Sequence, residues 1–284
     1  MGAPARRRRP PLPAILLVHA LVYAGVAAMA LPLLWMLCTS LKTEAEAGAA
    51  PTFATLLPAA PQWANYARAF ESASLERYYL NSTLAAALTT VLGVAHNALA
   101  GYAFAKLRFR GRRVLLGAAL ATMMVPVQVY FIFAYLLCTR LGYVDSVQAL
   151  VVPFLASGFG IFYMRQAILA VPDSLLEAGR LDGMSEFDLF WHLVRPTVWP
   201  AMSALGIFTF VFSWNNFFWP LIVVDSERSK TLPLALADLS AGLYVDSWPV
   251  QMAAATIMIG PMVAVYLVLQ RAFVQGVALT GMKE

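Results

Sequence analysis

Residues 171–200 read V-P-D-S-L-L-E-A-G-R-L-D-G-M-S-E-F-D-L-F-W-H-L-V-R-P-T-V-W-P, a mixture of charged and apolar side chains set between long apolar runs. Charges at a bilayer centre are costly, so this stretch belongs outside the hydrocarbon core while still holding an ordered shape. Its signals predict two helices joined as an elbow. Pro172 precedes a start at Ser174, with Glu177 three residues on as its capping-box partner. Asp182-Gly183 ends this helix, since glycine tolerates the positive φ that a helix C-terminus demands. A second helix starts at Ser185 with Asp188 as a weaker reach-back partner. Phe187, Phe190, Trp191 and Val194 then fall at i, i+3, i+4 and i+7, and Pro196 and Pro200 stop the helix. Ala178 and Gly179 beside Glu177 and Arg180 allow close backbone approach and an electrostatic grip, which suits a docking helix. The competing reading is an amphipathic helix lying among lipid headgroups.

Around this elbow the composition is that of a membrane protein. Of 284 residues 61% are hydrophobic and 12% charged, against about 25% charged in a soluble average. The net charge of +5 sits at the ends of apolar runs, which disfavours nucleic acid as a partner. Cys38 and Cys138 are far apart and offer neither a disulfide framework nor a metal-ligand spacing.

Residues 6–9 are four consecutive arginines, and the uncharged run Ala14 to Cys38 follows. Ala28-Met29-Ala30 has the look of a cleavage site, but the apolar run continues past it and exceeds a secretory core, so an uncleaved first span is expected. Further runs at Tyr79 to Phe104, Val114 to Cys138, Val147 to Met164, Pro200 to Val224 and Val250 to Leu269 bring the expected spans to six. The fold class is therefore all-α, a polytopic membrane protein with six transmembrane helices and a two-helix elbow on one side.

With both ends inside, Arg6 to Arg9, the basic residues from Lys106 to Arg113, Arg165, Arg180, Arg195, Arg271 and Lys283 face the cytoplasm. Lys42, Arg68, Arg77, Arg140, Arg228 and Lys230 are left outside, in keeping with the positive-inside rule. Pro51, Pro58 and Pro61 break up the external segment 42–78, and a second one runs from Asp225 to Trp248; either could meet a soluble partner.

Within the spans there is no Asp, Glu or Lys, which speaks against ion-coupled transport. His96 is expected to be a hydrogen-bonded packing residue rather than a proton relay. The neutral polar groups Asn97, Gln128, Asn215 and Asn216, interleaved with aromatics such as Trp214, suit a passage for a hydroxyl-rich neutral solute; helix-to-helix hydrogen bonding is the alternative use. Pro126, Pro153, Gly158, Gly160, Pro220 and Pro261 interrupt the helices, as transporters use. No Walker loop is present, and no H-E-x-x-H, C-x-x-C or G-x-S-x-G, so any ATPase is another chain.

Glu177-Ala178-Gly179, three residues, Gly183 and then Pro196 resembles the E-A-A loop of permease subunits in binding-protein-dependent ABC importers. Gly179 replaces the usual third alanine, Val194 stands near the usual isoleucine, and Arg195 stands where leucine is usual. Met124 to Gln128, Leu141 to Pro153, Trp214 to Pro220 and the tail Gln270 to Gly276 resemble the carbohydrate-uptake branch, in its shorter six-span partner subunit of the maltose type.

The resemblance implies a non-enzymatic transport subunit in the cell's inner membrane, paired with a second permease subunit, two ATPase subunits and an external substrate-binding protein. It implies no cofactor and no metal in this chain, with ATP and Mg²⁺ on the ATPases. Glu177, Ala178, Gly179, Asp182, Gly183 and Pro196 would form the coupling contact, with the tail near the same ATPases. Gln128, Asn97, Trp214, Asn215 and Asn216 are the expected substrate-pathway residues, for an oligosaccharide or polyol. Glycerol phosphate fits less well, because no span offers an arginine clamp. The corresponding division is 1–13 basic N-terminus, 14–41 first helix, 42–74 external loop, 75–277 permease domain with elbow 171–200, and 278–284 cytoplasmic tail. The alternative is a self-sufficient secondary transporter or channel for a neutral solute; an intramembrane enzyme lacks a reactive pair.

Overall fold

The computed structural model describes residues 12–50, 52, 55–72, 74–243 and 246–281. The four arginines at 6–9 and the last three residues lie outside them, as does most of the expected basic N-terminus. The helices run in the order α1 (Leu12–Ser40), α2 (Glu44–Ala47), α3 (Ala64–Ser72), α4 (Leu75–Lys106), α5 (Arg112–Ala121), α6 (Val127–Leu141), α7 (Val147–Val151), α8 (Gly158–Leu169), α9 (Asp173–Leu181), α10 (Glu186–Asp188), α11 (Arg195–Trp214), α12 (Phe218–Val223), α13 (Leu232–Ser240) and α14 (Trp248–Gly281).

α4 is the spine: α8 and α11 pack along it, α14 packs on α11, and α1 lies at the edge against α14. α1 is uncharged and nearly all its side chains are exposed, so it is stable only in a lipid-like environment or beside a partner. Close approach within the spine uses small residues. At Gly101 a Cβ would lie 2.8 Å from the Met164 Cβ and 2.9 Å from the Arg165 nitrogen, so only glycine lets α4 and α8 meet there.

Four helices are long and apolar enough to cross a membrane, and six spans result only if each of two bent pairs counts as one. The expected third span, Val114 to Cys138, is not straight: its halves meet at 109°. Pro126 holds Val125 in an extended conformation (φ −88°, ψ 122°) and removes an N–H, which breaks the ladder there. The fourth is bent by 49° between Phe154 and Gly158. The fifth departs further from expectation: its helical stretch runs Glu186–Trp214 instead of Pro200 to Val224. Neither Pro196 nor Pro200 stops it, because Pro196 sits in the first turn of α11 and Pro200 is carried within it. The residues after Trp214 turn away into α12.

Away from the elbow the connecting segments are folded. Lys42 is buried beneath Trp35 and donates to the Thr55 carbonyl at 2.6 Å, while the Asn65 amide donates to Ser40 and Lys42 carbonyls. Asp145 accepts from the Asp225 and Ser226 N–H groups, and Asn81 donates to the Arg228 and Lys230 carbonyls. These bonds fix the segment before α13 onto the ends of α4 and α6.

Candidate functional site: the elbow and the groove

The elbow forms, with its N-cap two residues earlier than the sequence signals place it. α9 begins at Asp173 with Pro172 as N-cap and no side-chain cap, so the Ser174–Glu177 capping box does not form. Proline's fixed φ suits the helix entry, and Ser174 falls inside the first turn. Glu177 is thereby left pointing outward. The far end closes as a Schellman arrangement: the Met184 N–H reaches the Gly179 carbonyl, the Gly183 N–H reaches that of Arg180, and Gly183 takes φ +82°. Ser185 then caps α10, its hydroxyl accepting from the Asp188 N–H while the Asp188 carboxylate accepts from the Ser185 N–H.

After one turn the helix widens into a π segment, Leu189–Val194, before continuing as α11. The expected stripe of Phe187, Phe190, Trp191 and Val194 is split by that widening, because i→i+5 bonding changes which residues share a face. Leu189, Phe190 and Val194 are buried against α4 and α8 side chains such as Tyr102 and Ile168. Phe187 and Trp191 face outward and stack, with rings 6.1 Å apart and 10° from parallel, and Arg195 lies over Trp191 at 4.0 Å. The wide turn also accommodates Pro196, which has no N–H to give: the Arg195 N–H bonds five residues back to Phe190, and the Thr197 hydroxyl takes the Leu193 carbonyl at 2.8 Å.

Two polar ties hold the elbow to the bundle. The Lys106 ammonium, almost wholly buried, donates to the Val171 carbonyl at 2.6 Å and to Asp173 at 2.7 Å. That hydrogen bond, and then the lysine's charge, hold the Asp173 carboxyl below its ordinary value. The Tyr102 hydroxyl donates to Glu186 at 2.5 Å, and Arg180 grips the same carboxylate through Nε at 2.8 Å and Nη2 at 3.3 Å. Under these ties Leu176 and Gly179 form the inner face. A Cβ on Gly179 would meet Leu189 at 2.5 Å, which accounts for glycine where an alanine is usual.

What remains outward is a compact face of Glu177, Ala178, Leu181, Asp182, Gly183 and Phe187. Leu181 is 89% exposed and Phe187 63%, an apolar tip within an acidic rim. Of the residues read from sequence, Glu177, Ala178, Asp182 and Gly183 are on this face, Gly179 is packed beneath it, and Pro196 is exposed beyond the π segment. Leu181 and the anchors Lys106, Tyr102 and Glu186 were not read from sequence. Leu181 had a signal, lying three and four residues after Ala178 and Glu177 on one helix face; the anchors are too distant along the chain to have one.

The pathway residues divide. Asn97 is buried at the break in the fourth span, its amide donating to Gly93 and Leu155 carbonyls and its oxygen accepting from the Ser157 N–H at 3.1 Å. Trp214 is fully buried, its indole donating to the Met258 carbonyl at 3.0 Å. Gln128 opens into a groove of about 390 Å³ with Phe131, Ile132, Tyr135, Phe218 and Ile222. Asn215 and Asn216 lie in the turn leading to α12, the latter accepting from the Trp219 N–H at 3.3 Å. His96 is exposed on the outside of α4, so the packing role expected of it is not the one it has here.

Residues 97–279 match the family described as binding-protein-dependent transport system inner membrane component. The arabinooligosaccharide transport system permease protein AraQ of Bacillus subtilis (strain 168) is 31% identical over 89% of this chain and 90% of its own length. The lactose transport system permease protein LacG of Rhizobium radiobacter is 31% identical, covering 86% and 88%. The sn-glycerol-3-phosphate transport system permease protein UgpE of Escherichia coli is 30% identical, covering 91% and 94%. In shape the chain superposes on the crystal structure of a bacterial ABC transporter involved in import of the acidic polysaccharide alginate, with TM-score 0.78, 22% identity and 93% and 99% coverage. A related structure, in complex with an alginate pentasaccharide-bound periplasmic protein, gives TM-score 0.62 at 12% identity.

Proposed function

This chain belongs to the family of binding-protein-dependent transport system inner membrane components, and we propose from that membership that it forms half of the pathway of an ATP-driven importer for a neutral sugar or polyol. The outward elbow face carries the reading. Glu177, Ala178, Leu181, Asp182, Gly183 and Phe187 are presented by two short helices whose inner residues are locked to α4 and α8. Such a knob transmits force in both directions, because it moves with the spine.

In this reading a second permease subunit completes the pathway, two ATPase subunits binding Mg²⁺-ATP each receive an elbow, and an external binding protein delivers the solute. Both termini and the elbow lie in the cytoplasm. Closure of the ATPase pair brings the elbows together and rocks the spine helices between two states of different solute affinity. Gln128 and the turn at Asn215 and Asn216 supply amides along the pathway, with Asn97 and Trp214 holding the walls they adjoin. The groove beside Gln128 has aromatic and aliphatic walls without a cation, which suits the face of an uncharged sugar and not a phosphate ester.

The test is purification of this chain from its host in mild detergent, with identification of its companions by mass spectrometry. A second permease and an ATPase are expected. A complex without an ATPase that transports solute under an ion gradient overturns the reading. Gly183→Trp adds a check on the elbow: φ +82° disfavours any side chain, and the space around the Cβ is open, so the ring projects outward from the face. The variant is expected to insert normally yet fail to couple ATP hydrolysis to uptake.

A further inference from the structure

At the elbow end of the bundle, beside the docking face and apart from it, a second cavity of about 730 Å³ is lined by Arg108, Phe109, Arg112, Arg113, Val114 and Arg165. Guanidinium groups reach it from three parts of the chain: the link after α4, the start of α5 and the end of α8. Two of them are fixed in place by backbone carbonyls. Arg112 donates to Leu107 at 3.1 Å and to Ala105 at 3.3 Å, and Arg165 donates to Phe104 at 3.2 Å. Those bonds orient the charges without neutralising them.

Among the described residues, none of the four arginines forms a salt bridge. Asp173, whose charge is felt by Arg108, already receives the Lys106 hydrogen bond. Gly111, at φ +84°, also lines the cavity and starts α5 without a side-chain cap. The first N–H groups of that helix therefore lack intrahelical partners at the cavity wall. Four guanidiniums without a salt bridge, only Arg108 of them within the field of Asp173, plus a helix start make a site for a dianionic or monoanionic phosphate.

The remaining walls say which phosphate. Phe109 is 40% exposed and Val114 76% exposed, and Leu115 next to them is 54% exposed. The cavity thus passes directly into apolar surface, at the end of a helix long enough to cross a bilayer. We infer that it holds the phosphodiester headgroup of an anionic phospholipid, with the acyl chains lying along Val114, Leu115 and the outer face of α5. Basic pockets between membrane helices bind such headgroups. The inference needs only that the chain crosses a membrane and stands whatever solute it carries.

The experiment is native mass spectrometry of the full chain in detergent, titrated with phosphatidylglycerol or phosphatidylcholine. Preferential retention of phosphatidylglycerol is expected. In the Arg108→Gln/Arg113→Gln variant that retention should weaken roughly fivefold per arginine removed, the ratio that about 1 kcal/mol for each basic residue near an anionic surface implies. An Arg140→Gln/Arg228→Gln control, at the opposite end, should retain the lipid as wild type does. Arg108 and Arg113 donate no hydrogen bond among the described residues, so a native helical circular dichroism spectrum is expected. Equal retention of the two lipids by the wild-type chain overturns the inference, and that arm stands even if the variant misfolds. Unchanged retention in a folded variant also overturns it, as does displacement of the lipid by millimolar inorganic phosphate, which marks a free-anion site instead.

Discussion

The Lys106 ammonium donates at once to the Val171 carbonyl and to the Asp173 carboxylate, joining the last turn of α4 to the first residue of α9. Lys106→Met keeps the buried stem but leaves the Val171 carbonyl without its donor, a loss of about 1–3 kcal/mol. A lower thermal midpoint is expected, together with ATP hydrolysis that continues while uptake falls; a variant with wild-type uptake per ATP removes Lys106 from the coupling route. The tie also has a pH signature. Because Asp173 titrates below its ordinary value when folded, its contribution is complete above its unfolded value near 3.9 and is lost as the pH falls through the lower folded one. Acid weakening of the elbow below about pH 4 should therefore be smaller in Lys106→Met than in the wild type, the remainder coming from Glu186 and Asp188, whose carboxyls the Arg180 and Ser185 hydrogen bonds also hold low. Gly179 is a second single-residue control. Gly179→Leu forces Leu189 aside and is expected to cost about 1–3 kcal/mol by overpacking. In Gly179→Ala the gain of about 1 kcal/mol in helix propensity offsets part of that, so its midpoint should lie between those of the wild type and Gly179→Leu in a melting series.

Among the elements, the π segment Leu189–Val194 sets the angular relation between elbow and fifth span. Pro196 favours it by withholding an N–H from the α ladder. Pro196→Ala is expected to let the segment relax toward α geometry and rotate Phe187 and Trp191 relative to the buried Leu189 and Phe190. The stacked pair and the cation-π contact of Arg195 should then be lost, which Trp191 fluorescence in a background lacking the other tryptophans would register. An unchanged spectrum with unchanged coupling means that the buried contacts, and not the proline, keep the wide turn. The break in the fourth span depends on Asn97, which serves backbone groups on both sides of it. Asn97→Leu leaves the Ser157 N–H unpaired at a cost of about 1–3 kcal/mol, and a corresponding fall in midpoint should be measured without loss of ATPase recruitment.

For the whole molecule, the long exposed apolar surfaces of α1 and α6 call for lipid or partner side chains to cover them, and the proposed importer assigns the outward face of the elbow to an ATPase. Reconstituted by itself, it is expected to give no ATP-driven uptake. Restoration on adding the co-purifying permease and ATPase, and failure of restoration in Gly183→Trp, would locate the coupling step at the elbow.

The sequence by itself determined the all-helical membrane class and the existence of the elbow, because both are written in local terms. Bilayer thickness fixes the length of an apolar run, and Gly183, Ser185 and Asp188 specify a turn and a cap within a few residues. The same local reading put the spare surface at Glu177, Ala178, Asp182 and Gly183. Only the tertiary structure decided which residues hold the elbow in place, since Tyr102 meets Glu186 and Lys106 meets Val171 across distances in sequence that carry no periodic signal. It also decided that Pro196 and Pro200 continue a helix instead of ending it. A proline's missing hydrogen bond is a local fact, but whether neighbouring carbonyls find other donors, as Leu193 does in Thr197, depends on how the helix is wound and packed. The division between Asn97 as a structural amide and Gln128 as a groove residue has the same origin: both are neutral amides in apolar runs, and only the packing of α4 against α8 closes one of them off.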